Sequence, residues 1–189
     1  MRPVSLEKAY RLMNIGGTVL VSASSRGVAD VMPAAWSMPL DLSPCKAAVV
    51  VDASHFTRKL IDESGMFSLQ IPTVSIARET LMLGSVSKND LPDKLEKSGA
   101  DFFQKENFEM PLVRGCVGWM VFKVIPEASN EKNYDLIFGE CVAAWADSRV
   151  FSDGHWHFEN ADPKLRTLHY VAGGHFYTLG DALHLPVDV

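Results

Sequence analysis

Short runs rich in β-branched residues, broken by clusters of Gly, Pro, Ser and Asp, dominate the chain, and helical spacing of apolar positions shows in only a few stretches. Leu6 to Met13 reads as a helix. Thr18 to Ala23 and Val28 to Trp36 read as a hairpin across the turn cluster SSRG at 24–27. CKAAVVVD, 45–52, is a nearly continuous apolar run, the pattern of a strand buried on both faces. Arg58 to Glu63 predicts one or two helical turns with Gly65 as the stop, and MFSLQI, 66–71, alternates as a strand. ARETLMLGSV is helical up to Leu83. The charged segment 88–110 is helix-prone between Asp90 and Lys97 and stops at Ser98 and Gly99. RGCVGWMVFKVIPEAS and YDLIFGECVAAWADSRVF are long β-rich runs whose Gly115, Gly118 and Gly139 predict bulges or close backbone approach. HFYTL, after a Gly-Gly turn, is a short last strand.

Mostly antiparallel strands with a few short helices in the crossovers predict a closed or nearly closed β-barrel, because closure removes exposed edges. With 189 residues, 47% hydrophobic and 22% charged, the chain is expected to form one domain over 1–189. Its net charge of −5 gives no general attraction to nucleic acid or to membrane phosphate. The N-terminus lacks an apolar run of signal-peptide length, and no stretch of about 18 apolar residues can span a bilayer, so a cytoplasmic protein is expected. Cys45, Cys116 and Cys141 are odd in number and far apart, the pattern of reduced, buried thiols rather than of a disulfide framework or a zinc site.

Two loops gather hydroxyls and a cation. Ser54, His55, Thr57 and Arg58 stand between a strand and a helix, and GSVSK, Gly84 to Lys88, is followed by Lys94. A bound phosphate needs short donors and fixed positive charge beside a helix start, yet capping side chains and solvated cations have the same composition. GSVSK lacks the spacing of a nucleoside-triphosphate loop. In AAWSMPL, Ala34 to Leu40, a strand end carries Trp36 and Met38, which suits either a core tryptophan or the wall of a planar aromatic ligand. His155 and His157 fall on one face of a strand, a possible metal pair with no third ligand at a fitting spacing. There is no GxSxG elbow and no HExxH, so nucleophilic hydrolysis has no support.

Taken in order, AAWSMPL, SHFTRKLIDESGMFSLQIP, GSVSKNDLPDK, MPLVRGC, LIFGEC and LRTLHYVAGGHFYTLG resemble the flavin reductase-like family of FMN-binding split β-barrels, its flavoredoxin branch in particular. The resemblance implies a mainly β, antiparallel, Greek-key-like split barrel with short helices. It implies FMN as cofactor, with NAD(P)H as a possible co-substrate, and NAD(P)H:flavin reductase activity. The alternatives are a flavoredoxin-like electron carrier served by a protein donor or acceptor, and a binding module without enzymatic activity. Ala35, Trp36, Ser37 and Met38 resemble the segment that meets the flavin ring. Ala53, Ser54, His55 and Thr57 resemble the loop at the ribityl chain and phosphate, and Gln70 lies where the next strand passes the ring. Gly84, Ser85, Val86, Ser87 and Lys88, with Lys94, resemble a second phosphate-side loop. A homodimer with flavin near the interface is implied, with His169 and Tyr170 approaching the partner's cofactor. Three departures stand out: Asp30 where the family often has Asn, Asp52 where a basic residue is common, and Asn133 and Tyr134 in place of a common His.

Overall fold

As a computed structural model, the structure describes residues 1–15 and 17–185; Gly16 and 186–189, part of the expected 1–189 domain, lie outside the described residues. The chain opens with β1 (Arg2–Pro3) and α1 (Leu6–Met13). Two hairpins follow, β2 (Val19–Ser25) with β3 (Val28–Ala34), then β4 (Ser37–Leu42) with β5 (Cys45–Val50). α2 (Phe56–Ser64) leads into β6 (Met66–Ile71), and α3 (Ala77–Ser85) and α4 (Lys94–Lys97) precede the hairpin β7 (Phe102–Lys105) and β8 (Phe108–Val113). β9 (Gly118–Ile125), α5 (Ala128–Tyr134) and β10 (Leu136–Ala146) come next. Two small hairpins close the chain, β11 (Phe151–Ser152) with β12 (His155–Trp156), and β13 (Leu168–Ala172) with β14 (His175–Thr178).

Eight strands form one antiparallel sheet in the order β3-β2-β6-β9-β10-β5-β4, with β1 paired to β10 beyond the end of β5. The two ends of that order, β3 and β4, are consecutive in the chain with only Ala35 and Trp36 between them. The sheet therefore curls until its edges meet at this corner, where β3 and β4 are not paired to each other among the described residues. The crossover from β5 to β6 carries α2, which packs on β2 and β3. This is the Greek-key-like split barrel anticipated from the sequence.

Period-two alternation sorts side chains between two faces. Val19, Val21, Ala23, Phe67, Leu69 and Ile71 enter the main core, which Ala9, Leu12 and Met13 of α1 and Leu60 and Ile61 of α2 complete. Leu20, Val31, Leu83, Val113 and Trp119 form a smaller cluster on the other face. Gly139 is a close approach, as expected. A Cβ there would meet the Phe67 ring at 2.6 Å, and Phe67 stacks on Phe122 at 5.2 Å. The bulge of β10 lies further on, between Cys141 and Ala143. All three cysteines are buried free thiols, and burial pushes the Cys116 thiol well up.

Two expectations need correction. The strand from Val28 does not run to Trp36. It ends at Ala34, and a new edge strand begins at Ser37. The helix expected over Asp90 to Lys97 is cut to Lys94–Lys97, because Pro92 disfavours helical backbone in the residue before it. The rest of the charged segment is the β7–β8 hairpin, turning at Asn107 with φ 71° and setting Phe103 edge-on to Trp119 at 6.1 Å. Among the described residues, no helix is long and apolar enough to cross a membrane.

Candidate functional site

The open corner between β3 and β4 faces α3, the loop before α2, the end of α5 and the β13–β14 hairpin. Together they enclose a cavity of about 1280 Å³, above the ~300–1,000 Å³ usual for one small molecule. Ala35 and Trp36, His55 and Thr57, and Gly84, Ser85, Val86, Ser87 and Lys94 all line it. Three stretches far apart in sequence thus converge. Asn89 fastens two of them, its side-chain amide donating to the Ser54 carbonyl at 3.2 Å. α3 seats against β3 at Gly84, where a Cβ would meet Pro33 at 2.5 Å. Pro33 is tolerated because β3 is a terminal strand of the sheet.

The cavity floor is ionic and buried. Asp30 is 1% exposed and Lys94 3%; Nζ lies 3.1 Å from Oδ1 and donates to Oδ2 at 3.3 Å. The Thr57 hydroxyl donates to the same Oδ2 at 2.7 Å. Burial pushes the Lys94 ammonium below the ordinary lysine range, against the pull of Asp30. Asp30 Oδ1, although close to Nζ, is out of line for a hydrogen bond, and Thr80 Oγ1 on α3 also has no partner. Both residues line the cavity.

The loop before α2 is not a helix cap. His55 stands at the N-cap without a side-chain capping bond, and the hydroxyls point elsewhere. Ser54 donates its backbone N–H at 2.8 Å and its hydroxyl at 2.7 Å to Asp52 Oδ1, and these bonds hold the Asp52 carboxyl below its ordinary value. Asp52 lines the cavity, but its charge is turned onto Ser54. Arg58 is no phosphate ligand either. Buried, it donates to Asp62 at 2.9 Å, to the Val51 carbonyl at 2.9 Å and to Asp135 at 3.3 Å. In the second loop the Ser85 hydroxyl is taken by the Leu81 carbonyl. Ser87 differs, since its oxygen accepts from the Asn89 N–H at 3.1 Å and its own proton stays free to donate. Lys88 makes no ion pair with a described residue, and its charge is felt at Lys94.

Several residues singled out from the sequence lie off the cavity wall: Ser37, Met38, Ala53, Ser54, Lys88, Gln70 and His169. Gln70 is fully buried on the other face of the sheet, accepting from the Val113 N–H at 2.7 Å and donating to Ser68 at 3.0 Å, so nothing of its amide remains for a ligand. Ala53 gives its N–H to Asp135 at 3.1 Å. His169 is exposed, while its neighbour Tyr170 turns to the other face of β13 and lines the cavity of its own chain. Trp36 is 75% exposed and Met38 55%, which overturns the reading of Trp36 as a core residue. Only His155 of the histidine pair is in a strand. Its ring meets the Asp153 carbonyl and Arg11, while His157 pairs with Ser152. Thr18, Thr80 and Leu81 line the cavity unannounced by any motif; an isolated Thr in a helical run carries no signal of what packs over it.

The chain as a whole is similar to known proteins. The family described as flavin reductase like domain matches residues 12–176. The chain belongs to this flavin reductase-like family. It is 42% identical over 183 residues to the protein YddH of Escherichia coli (strain K12), covering 94% of each chain. It is also similar to the solved structure of an FMN-binding domain of flavin reductases-like enzyme from Shewanella baltica OS155. That likeness has 46% identity and a TM-score of 0.95, covering 97% of this chain and 96% of that one. Flavoredoxin from Methanosarcina acetivorans is similar at 26% identity and TM-score 0.72, over 90% of this chain and 88% of that one. The two carboxylates that the sequence resemblance marks as departures are both engaged within the chain, Asp30 by Lys94 and Asp52 by Ser54.

Proposed function

We propose that the chain holds FMN in this cavity and works as a flavin-dependent oxidoreductase of the NAD(P)H:flavin reductase type. The convergence of the Ala35–Trp36 corner, the 52–57 loop and the 84–87 segment on one large cavity carries the reading. Family membership and the FMN-binding relative from Shewanella baltica agree with it. The residues present fit the group. Trp36, Tyr170 and Phe176 offer apolar surface to a planar ring, and the backbone at Ala35 and Trp36 offers polar contacts beside it. The free Ser87 proton and the unpaired Lys88 suit a phosphate, and the orphaned Asp30 Oδ1 and Thr80 Oγ1 require a polar partner.

FMN supplies the redox chemistry when bound, taking a hydride from reduced nicotinamide and passing electrons onward. This chain's residues bind, orient and shield. Trp36 at the cavity wall and Met38, Leu40 and Leu42 of β4 after it are all exposed. That apolar strip is where a second copy seats in the expected homodimer. NAD(P)H oxidation with added FMN tests the reductase activity, and turnover with neither nicotinamide would overturn it.

A flavoredoxin-like electron carrier is the second reading, favoured by one observation. Arg58 and Lys94 both have carboxylate partners, which leaves little free positive charge at the cavity for the phosphates of a dinucleotide. Tyr134 and Asn133 stand at the wall instead of a histidine. Flavin retained through purification and reduced only by a protein donor would establish this reading.

A further inference from the structure

We infer that the hydroxylated chain of the flavin, and not its phosphate, is taken by Asp30, Thr80 and Lys94 on the cavity floor. The inference rests on the FMN reading above and assigns Lys94 away from the phosphate loop in which its sequence neighbourhood places it. Charge argues first. Asp30 and Lys94 neutralise each other at 3.1 Å in a buried floor, so a phosphate brought to Lys94 would also be brought to a buried carboxylate. Like charges repel strongly where the effective dielectric is low.

Hydrogen-bond capacity argues second. Asp30 Oδ1 is an acceptor without a partner, and an ionised phosphate has no proton to give it. A hydroxyl does. Thr80 Oγ1, equally buried and unpartnered on the facing α3, both donates and accepts. Lys94 has three N–H donors and only Asp30 as an ion-pair or hydrogen-bond partner among the described residues. The floor thus presents an acceptor, a donor and a group that is both, which is the pattern complementary to a run of alcohol groups. The phosphate is left to Ser87 on the cavity wall, whose proton is free, and to its neighbour in sequence Lys88.

Thr80→Val separates these roles with little risk to folding, since it removes a hydroxyl that has no partner in the unliganded chain and keeps the shape. Binding of FMN, riboflavin and lumiflavin is measured by quenching of flavin fluorescence. Riboflavin keeps the hydroxylated chain without phosphate, and lumiflavin keeps only the ring. Thr80→Val is expected to weaken FMN and riboflavin by the same factor, about three- to tenfold, and to leave lumiflavin unchanged. Replacing the ion pair together, Asp30→Asn with Lys94→Met, is expected to weaken the same two ligands. Ser87→Ala with Lys88→Ala is expected to weaken FMN alone. Loss of FMN but not riboflavin affinity in the floor variants would return Lys94 to the phosphate and overturn the inference. Equal loss for all three ligands would do so too, as would no change for any of them, the result if only water fills the floor. A wild-type chain that binds FMN while its variants behave in one of those ways sinks this inference alone; a wild-type chain that binds none of the three sinks the FMN reading with it.

Discussion

Asp30 is the residue on which most of the site turns. Its carboxylate holds Lys94 and the Thr57 hydroxyl in the floor, so Thr57→Val withdraws a donor from a buried charge. We expect that variant to lose about 1–3 kcal/mol of stability in urea denaturation. The pairing joins residues 64 apart in sequence, and no pattern in either neighbourhood announces it. The departure from Asn at position 30 was visible in the sequence, but its partner was not. Hydroxyls were misread for a similar reason. Composition marks Ser54, Ser85 and Ser87 alike as donors, and only the fold decides which has its proton engaged. Elsewhere, Arg149 holds Asp147 through bonds of 2.6 to 3.0 Å and lowers its carboxyl below the ordinary value. Because the folded value is depressed, the stabilisation is present above about pH 4 and is lost as pH falls through the folded value. The urea midpoint should therefore drop between about pH 6 and pH 3 in the wild type, and drop less in Arg149→Met.

Elements whose signal is local were legible. α1 and β6 have the bounds that period 3.6 and period two assign them, and Gly65 ends α2 in the left-handed conformation its position required. The β7–β8 hairpin was illegible because Phe102 and Phe103 share a segment with many charges, and their apolar partner, Trp119, lies in another strand. β4 was illegible because an edge strand exposed on its outer side shows no contrast between apolar and polar faces. Gly139 links the two levels, since β10 crosses the Phe67–Phe122 stack too closely for a side chain. Gly139→Ala should cost about 1–3 kcal/mol, read as a lower urea midpoint, with flavin affinity unchanged in the protein that remains folded.

At the scale of the whole molecule, the sheet's two ends meet at Ala35 and Trp36, and this corner sets both the cavity and the apolar strip beside it. Leu42 is 57% exposed and Leu40 45%, which is much bare apolar surface for an edge strand paired only with β5 among the described residues. Leu40→Glu with Leu42→Glu should shift the chain from dimer to monomer in sedimentation velocity; an unchanged dimer would place the interface elsewhere. The antiparallel barrel and the convergence of its loops followed from strand patterning and motif order together. Charge balance in the floor followed from neither. The most direct measurement is a titration of the purified chain with FMN, followed by flavin fluorescence. The account predicts saturable quenching at one FMN per chain, with affinity reduced about tenfold or more in Ser87→Ala with Lys88→Ala, since charge-assisted bonds contribute about 1.5–3 kcal/mol each. Fluorescence that stays unquenched at every FMN concentration would contradict it.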